Sequence, residues 1–320
     1  MTFSSRSFRY LVKRWVRVLP VPVLLKEKVL FLFKLGYWPD FVNPVSFSEK
    51  VHFRKLNDRD SRLVTLSDKF QVRKFVAERI GEEYLVPLLY CSETITPEQI
   101  LECGDDIVVK RNDNSGSVYL VSKNSESLAQ SISEKVKRLP DYGKLTNEWW
   151  YREIPSKILV EKRLVDPAND RPIDYKLFVF NDYLFVEVIR RHDDGTIECG
   201  FFDEALREIT VDGEKVQYRG CQPFNGPFPA TDTFEEMKRV ARALSVVFNF
   251  VRIDLYSVSG RVYFGEITFC PSEGRHCVSP TRFDIELGAY WKEPLLLSQS
   301  KDETEKGSSA TIDETAPRLS

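Results

Sequence analysis

The sequence predicts a mixed α+β protein built from more than one core. A unit of strand, loop, strand, helix and strand spans residues 106–165. Two strand hairpins follow residue 172, with an amphipathic helix over Phe234–Phe248 between them. Hairpins and separate helices predict antiparallel sheets rather than alternating parallel βαβ units. The 320 residues also exceed what one core usually holds, so several subdomains are expected.

Two helices are predicted before the small unit. Ser46 with Glu49 three residues later forms a capping-box pattern. A second helix is predicted to start near Ser67-Asp68 and to stop at Gly81. A short strand, Tyr84–Cys91, is predicted next. The small unit itself is predicted from strands Ile107–Lys110, Val118–Val121 and Lys157–Leu164 and helix Ser125–Leu139.

The first hairpin, Pro172–Phe180 and Tyr183–Arg191, has a two-residue turn at Asn181-Asp182. This turn places Lys176 opposite Glu187. Lys176 is therefore either one partner of a cross-strand salt bridge or a cation for a phosphate group.

The last hairpin carries the strongest functional pattern. A three-residue turn ending at Gly260 would set residue 252 opposite 266 and residue 254 opposite 264. Arg252, Asp254, Glu266 and Thr268 would then share one face, whereas Ile253, Leu255, Tyr263 and Ile267 would share the core face. Two carboxylates beside an arginine suit Mg²⁺ and a phosphate. The alternative is an Arg252–Glu266 ion pair on a solvated face, and a two-residue turn would put the two carboxylates on opposite faces.

Three further residues could contact a nucleotide. Lys110 precedes the polar loop Asn112–Ser117, whose amides can fold over phosphates; a plain surface turn is the alternative. Lys69 follows Asp68 at a helix start, where it faces either a phosphate or solvent. Glu161 at a strand end either accepts hydrogen bonds from ribose hydroxyls or is simply the first polar residue.

Composition and charge exclude some classes. The net charge of −2 gives no support to a nucleic-acid partner. Six scattered cysteines without a Cys-x-x-Cys pair, together with three histidines, argue against structural zinc and predict reduced thiols in the cytoplasm.

Residues 6–34 are basic, and Tyr10–Val18 is amphipathic. This segment either lies on an anionic membrane surface, at the inner face of the membrane, or packs on the protein itself. The domain boundaries expected are a basic N-terminal segment (1–42), an N-terminal subdomain (43–105), a lid subdomain (106–165), a C-terminal subdomain (166–292) and a disordered tail (293–320).

Taken together these segments resemble the TupA-like family of the ATP-grasp superfamily, over roughly Asn43 to Trp291. The resemblance rests on FSEKVHFRKLNDRD, DKFQVRKFV, VVKRNDNSGS, ILVEKRL, DYKLFVFND and VRIDLYSVSGRVYFGEITFCPSEG. It implies an N-terminal domain, a small lid and a C-terminal antiparallel-sheet domain, with ATP held between the last two.

The resemblance also implies roles for individual residues. Lys69, Lys110 and Lys176 look like nucleotide-binding lysines, and Ser115-Gly116-Ser117 looks like the mobile lid loop. Glu161 and the backbone of Lys162-Arg163-Leu164 look like the adenosine-binding strand. Asp254 and Glu266 look like Mg²⁺ ligands, with Arg252 near the transferred phosphate and Lys176 beside it as a second catalytic cation.

Two departures bear on these roles. Many ATP-grasp enzymes have Asn where this chain has Thr268, which puts a full second-metal site in doubt. The family lid commonly reads Lys-x-Asn-His-Gly-Ser-Gly, whereas Asp113-Asn114 and Ser117 here predict a stiffer loop.

The function implied is an ATP- and Mg²⁺-dependent carboxylate–amine ligase that works through an acyl phosphate. The family name points to a surface or capsular polysaccharide containing hexuronate, decorated with an amino acid. Two alternatives stay open: a glycan or sugar kinase that uses the same ATP site, and a non-catalytic scaffold of polysaccharide assembly.

Overall fold

The computed structural model describes residues 20–166, 171–293 and 295–297. Its α-helices are α1 (Val23–Leu35), α2 (Phe47–Asn57), α3 (Arg62–Ser67), α4 (Val72–Ile80), α5 (Pro97–Glu102), α6 (Glu126–Lys137), α7 (Tyr142–Thr146), α8 (Trp150–Glu153), α9 (Thr231–Ser245) and α10 (Arg282–Tyr290). Short 3₁₀ turns lie at Glu82–Tyr84 and Pro271–Gly274. The α+β class predicted from the sequence is confirmed.

The strands form one large and one small sheet, with two minor two-stranded ribbons. They are β1 (Leu88–Ser92), β2 (Ile107–Arg111), β3 (Val118–Val121), β4 (Ile158–Lys162), β5 (Asp174–Phe180), β6 (Leu184–Arg191), β7 (Ile197–Asp203), β8 (Thr210–Val211), β9 (Glu214–Lys215), β10 (Gln217–Tyr218), β11 (Gln222–Pro223), β12 (Phe250–Val258), β13 (Arg261–Thr268) and β14 (Val278–Ser279).

The large sheet has the order β11-β7-β6-β5-β12-β13, so both hairpins lie side by side in it. Its pairings are antiparallel except for the short parallel contact of β11 with β7. The two-residue turn predicted at Asn181-Asp182 is present, and Lys176 does lie opposite Glu187. Because β5 and β12 are neighbours, Lys176 also lies opposite Asp254.

The N-terminal helices cover part of one face of this sheet. Side chains alternate along a strand, so Phe178 and Phe180 share the face of Lys176. Phe47 of α2 packs its ring against both of them, with centroids 6.0 Å away, and against Phe250 at 4.9 Å. This packing leaves the polar end of the same face beside α2, and it is there that the candidate site forms.

In the last hairpin the predicted turn length is wrong, but the face predicted for the four polar residues is right. The turn is Ser259-Gly260, two residues that both have positive φ (51° and 73°), rather than three residues ending at Gly260. A two-residue turn alone would place Glu266 on the core face. A bulge at Gly265 adds one residue to β13, so that Asp254 lies opposite Glu266 and Arg252 opposite Thr268.

The facing pairs 252–266 and 254–264 predicted from the sequence are therefore wrong, but the shared face of the four polar residues is right. The two-residue turn also sets Tyr263 opposite Tyr256 and off the core face, where Val262 and Phe264 lie instead, 3% and 5% exposed.

The small sheet has the order β1-β4-β2-β3 and a core of its own. Ile107, Val109 and Val160 from the sheet pack with Ile132 and Val136 of α6. Strand β1 belongs to this sheet, which therefore takes in residues N-terminal to position 106.

Three local predictions have different outcomes in the structure. The capping box of Ser46 with Glu49 is confirmed. Asp68 does not start a helix: it ends α3, and its carboxylate accepts the Phe70 and Gln71 amides ahead of α4. Leu295 and Leu297, assigned to the disordered tail, are buried in the main core.

Two predicted segments cannot be compared. The predicted amphipathic stretch Tyr10–Val18 and the tail from Ser298 onward lie outside the described residues. No helix in the described ranges is long and apolar enough to cross a membrane.

Candidate active site

Arg252 is the centre of a charge cluster on β12 and β13. It donates from Nε to Asp254 Oδ1 at 2.6 Å and from Nη2 to Asp254 Oδ2 at 2.8 Å. The same Nη2 lies 3.3 Å from Glu266 Oε1 and 3.1 Å from Thr268 Oγ1. Lys176 adds a second cation, with Nζ 2.6 Å from Asp254 Oδ2. The structure thus brings together all the residues predicted for metal binding and phosphate transfer.

Lys176 does not form the salt bridge with Glu187 that the sequence offered as an alternative. Its ammonium group bonds to Asp254, while Glu187 lies buried near His276 at 3.9 Å. Burial and the Arg252 charge act to lower the pKa of Lys176, but the charges of Asp254, Asp174 and Glu266 together outweigh them and the pKa rises above its ordinary value. Lys176 is therefore a permanent cation at neutral pH.

Lys69 connects the large sheet to the lid loop. Its Nζ lies 3.4 Å from Glu266 Oε2 and donates to the Asn114 carbonyl at 2.8 Å. Burial acts to raise the pKa of Glu266, but Lys69, Arg252 and Lys176 together hold that pKa at about 2. Glu266 is thus an anion with cations on two sides.

The bend that carries Lys69 is fixed by Asn112. The fully buried Asn112 amide donates to Asp68 Oδ1 at 2.9 Å, and its carbonyl accepts the Lys69 amide at 3.3 Å. The lysine that reaches Glu266 is therefore positioned by the root of the lid loop.

Glu161 lies in a second, separate cluster on the small sheet. Lys110 Nζ contacts its Oε2 at 2.5 Å, and Arg73 Nη1 of α4 contacts its Oε1 at 3.3 Å. The carboxylate is only 8% exposed. Lys110 and Glu161 are thus paired with each other, and each keeps further hydrogen-bonding capacity.

The backbone predicted to bind adenosine is partly occupied. The Lys162 amide donates to Pro87 O at 2.9 Å, and the Arg163 amide donates to Asp106 O at 2.7 Å. These two N–H groups are thus bonded within the protein. The roles expected for the backbone of Lys162, Arg163 and Leu164 stay predictions.

The lid loop is fixed at its root. Asn112, Asp113 and Asn114 are buried, and Arg111 Nε donates to Asp113 Oδ1 at 2.7 Å. Beyond them Gly116 is exposed and adopts a φ of 79°, a left-handed conformation that favours glycine. The stiffening predicted from Asp113 and Asn114 thus has a structural basis, and the mobility expected of Ser115-Gly116-Ser117 stays a prediction.

A cavity of about 330 Å³ opens beside the charge cluster. Ser115, Arg252, Glu266 and Thr268 line it, whereas Lys110, Glu161, Lys162, Leu164 and Lys176 do not. Its other walls were not predicted from the sequence; they are Lys34, Tyr142, Glu148, Tyr151, Tyr218, Cys270, Ser272, Glu273 and Arg275. Tyr and Glu side chains in short helices give no periodic signal, so only the folded chain brings these residues together.

The donor atoms can be compared with the needs of Mg²⁺. Among the described residues no group of three His, Cys, Asp or Glu side chains could hold a metal ion by itself. Glu266 and Thr268 do offer hard oxygen donors on the cavity side, and Mg²⁺ commonly takes one or two carboxylates and completes its shell with phosphates and water. Both oxygens of Asp254 are bonded to Arg252 and Lys176, so Asp254 fits this role after those cations turn to a phosphate.

A family model described as TupA-like ATPgrasp matches residues 49–292. The chain belongs to this family. The match covers both hairpins, the small sheet and the lid loop, and it confirms the resemblance predicted from the sequence. As an ATP-grasp protein the chain has the fold of nucleotide-binding enzymes, and the cation clusters lie on the two sheets of that fold.

Solved structures that resemble the TupA-like chain are distant. A D-alanine–D-alanine ligase from Bacillus anthracis is 15% identical, with a TM-score of 0.37, over 65% of this chain and 58% of that one. The Helicobacter pylori D-alanine–D-alanine ligase is 12% identical, with a TM-score of 0.39, over 77% and 69%. An ADP complex of N5-carboxyaminoimidazole ribonucleotide synthetase is 10% identical, with a TM-score of 0.34, over 74% and 59%. No curated protein matches the sequence.

Proposed function

We propose that this protein is an ATP-dependent carboxylate–amine ligase that forms an amide through an acyl phosphate. The observation that carries the proposal is the convergence of Lys69, Lys176 and Arg252 on Asp254 and Glu266. Arg252 and Glu266 of this cluster line the cavity. These five groups supply the positive charge that a γ-phosphate requires and the carboxylates that Mg²⁺ prefers.

In this proposal each residue of the chain has a defined task. Arg252 and Lys176 release Asp254 and bind the transferred phosphate, while Lys69 and Lys110 bind the remaining phosphates. Glu161 accepts hydrogen bonds from the ribose. Mg²⁺, held by Glu266, Asp254 and Thr268, would neutralise phosphate charge. The substrate carboxylate attacks the γ-phosphorus, ADP leaves, and an amine then displaces phosphate from the acyl carbon.

In the proposed ligase, Ser115-Gly116-Ser117 would close over the cavity. An acyl phosphate is hydrolysed by water, so a ligase must exclude water between its two steps. The cavity already has a wall of tyrosines and a lid residue, Ser115. We propose a hexuronate unit of a surface or capsular polysaccharide as the acid and an amino acid as the amine.

The first experiment is calorimetric titration of a non-hydrolysable ATP analogue in the presence and absence of Mg²⁺. Wild type should bind saturably, whereas Glu266→Gln should lose most of the Mg²⁺ dependence and Lys110→Ala should bind at least about tenfold more weakly. Both variants should retain the wild-type melting temperature within a few degrees. Absence of binding to the folded wild-type protein would remove both ATP-using functions and favour the scaffold.

A second assay separates ligase from kinase. Wild type is incubated with ATP, glucuronate and a mixture of amino acids, and both free phosphate and phosphorylated sugar are measured. The ligase predicts ADP and free phosphate in equal amounts together with an amide product. A phosphorylated sugar without free phosphate would establish the kinase instead.

We also propose that residues 6–34 contact an anionic membrane surface. In α1 the side chains of Val23, Leu24, Leu25, Leu32 and Phe33 are between 37% and 48% exposed. The segment also carries Arg and Lys residues throughout, and a basic surface with exposed apolar side chains suits an anionic bilayer.

Vesicle sedimentation tests this surface. The protein should sediment with phosphatidylglycerol vesicles and not with phosphatidylcholine vesicles, and Leu24→Ser combined with Leu25→Ser should reduce the bound fraction severalfold. Equal sedimentation of wild type and variant would contradict the proposal.

A further inference from the structure

Glu148 is a buried carboxyl group with an unsatisfied oxygen on the cavity wall. Its side chain is 3% exposed, it lines the cavity beside the charge cluster, and its Oε1 has no hydrogen-bond partner among the described residues. Buried polar atoms are almost always hydrogen-bonded, because an unpartnered one carries a desolvation cost. Glu148 thus brings a carboxyl group with one unpartnered oxygen to the cavity wall, where a ligand with hydrogen-bond donors could satisfy it.

The cations near Glu148 are already committed to other acceptors. Lys55 Nζ donates to Glu27 Oε2 at 2.8 Å, to Glu273 O at 3.2 Å and to Thr146 O at 3.3 Å, which uses all three of its protons. Arg275 Nη1 donates to Glu27 Oε2 at 2.8 Å, and its Nη2 donates to the Glu273 carboxylate. Within the described ranges no cation forms an ion pair with Glu148, so a ligand that brings positive charge would complete the site.

The environment raises the pKa of the Glu148 carboxyl group toward neutral pH. Burial raises the pKa of Glu148 to about 8; the neighbouring Glu273 adds to this rise, while Lys55, Thr146 and Arg275 oppose it. A group with a pKa close to working pH is suited both to accepting and to releasing a proton.

The cavity walls between Glu148 and the charge cluster are aromatic. The rings of Tyr142 and Tyr151 meet edge to face with centroids 4.9 Å apart, and Tyr218 lines the same cavity. After burial, the charges of Glu148 and Glu266 are the two largest causes that raise the pKa of Tyr151. Tyr151 therefore lies near both carboxylates, and aromatic rings in this position favour a cation.

We propose that Glu148 binds the ammonium group of the amine substrate and accepts the proton that this group must lose before it attacks. The inference rests on the proposed ligase function and adds to it the location and charge of the second substrate. The carboxylate substrate would then lie on the Arg252 and Glu266 side, with the amine entering from the tyrosine side.

Every proton in this step is accounted for without a further reactant. The ammonium group transfers one proton to the Glu148 carboxylate and becomes a neutral amine. The nitrogen lone pair forms the C–N bond with the acyl carbon as the C–O bond to phosphate breaks. The second nitrogen proton leaves with the phosphate, which departs as hydrogen phosphate. Glu148 releases its proton to solvent when the amide product leaves.

The test uses methylammonium as the amine probe and a non-hydrolysable ATP analogue with Mg²⁺, with the full-length protein. Saturation-transfer NMR should detect methylammonium on wild type, and its affinity should rise from about pH 6 to about pH 9 as Glu148 loses its proton. Glu148→Gln keeps the shape but not the charge, and it should weaken binding at least about tenfold. Glu148→Asp, which retains a carboxylate, should keep part of the binding.

Glu153→Gln is the matched control, since Glu153 is an exposed acid in the adjacent α8 and should bind methylammonium like wild type. Equal affinity in wild type and Glu148→Gln, or no binding to analogue-loaded wild type, would overturn the role of Glu148. Failure of the ATP analogue itself to bind would instead refute the ligase proposal. If Glu148→Gln unfolds, the wild-type pH dependence and the Glu148→Asp variant decide the outcome.

Discussion

Glu27 of α1 holds the cavity wall together, and its replacement should destabilise the whole protein. The carboxylate is 1% exposed and accepts from Lys55 at 2.8 Å, Arg275 at 2.8 Å and Asn147 at 2.7 Å, with His52 at 3.1 Å. Burial acts to raise the pKa of Glu27, but Lys55, His52 and Arg275 outweigh it and hold that pKa far below its ordinary value. Its stabilisation is thus present above the ordinary carboxyl pKa and is lost as the pH falls.

Glu27→Gln removes the charge and keeps the shape. Lys55 and Arg275 would remain buried, at 1% and 4% exposure, with Glu273 as the nearest remaining carboxylate for Arg275. Removal of one partner from a buried ion pair costs about 3–5 kcal/mol, so we expect a loss of that size in the free energy of unfolding.

Urea unfolding followed by tryptophan fluorescence measures this loss as a lower midpoint at unchanged slope. Glu78→Gln is the control, since Glu78 is 64% exposed and pairs with Lys74 at 3.8 Å; it should change stability by less than about 0.5 kcal/mol. Adding Lys55→Met to Glu27→Gln should recover part of the loss. A loss below about 1 kcal/mol in Glu27→Gln would refute the reasoning.

The remaining predictions concern the charge cluster and the last hairpin. Lys69→Met should weaken binding of the ATP analogue at least about tenfold by calorimetry, because it removes the cation between Glu266 and the lid loop; unchanged affinity would contradict its role. The pKa of Glu266 is lowered from 4.5 to about 2, so its stabilisation of about 2–3 kcal/mol is present above pH 4.5 and is lost as the pH falls toward 2. The difference in unfolding free energy between wild type and Glu266→Gln should therefore shrink over that range, and a constant difference would argue against it. Gly265→Val should cost about 1–3 kcal/mol in urea unfolding, because a Cβ there lies 3.0 Å from the Asp254 carbonyl; a neutral substitution would show that the bulge can shift.

Much of the fold could be predicted because local signals agreed with tertiary packing. The Ser46 capping box, the Asn181-Asp182 turn and the alternation of β5 and β12 are each encoded within a few residues. These are the features that depend least on distant parts of the chain. The shared face of Arg252 and Glu266 was predicted from a three-residue turn, and it is right only because the bulge at Gly265 compensates for the shorter turn.

The predictions that failed depend on contacts that no short segment contains. Asp68 looks like a helix start, but the cap it forms lies between α3 and α4 and is shared with Asn112, 44 residues away. Leu295 and Leu297 lie at the start of the segment predicted as a disordered tail, yet both side chains are buried in the main core.

Glu27 is the one acid among the basic residues of the segment 6–34. The structure makes it the counter-ion of Lys55 and Arg275, two residues far along the chain. Glu148 was missed for the same reason, since its cavity exists only after α7, α8 and the loop after β13 meet.

The bulge at Gly265 has a consequence for how this hairpin could change during evolution or engineering. Each side chain beyond it faces inward or outward according to whether the combined length of the turn and the bulge is odd or even. A single insertion or deletion anywhere between Asp254 and Glu266 would reverse that parity and turn Glu266 and Thr268 into the apolar core. Paired changes, such as one residue added to the turn with Gly265 removed, would preserve it. Length variation here should therefore come in even steps.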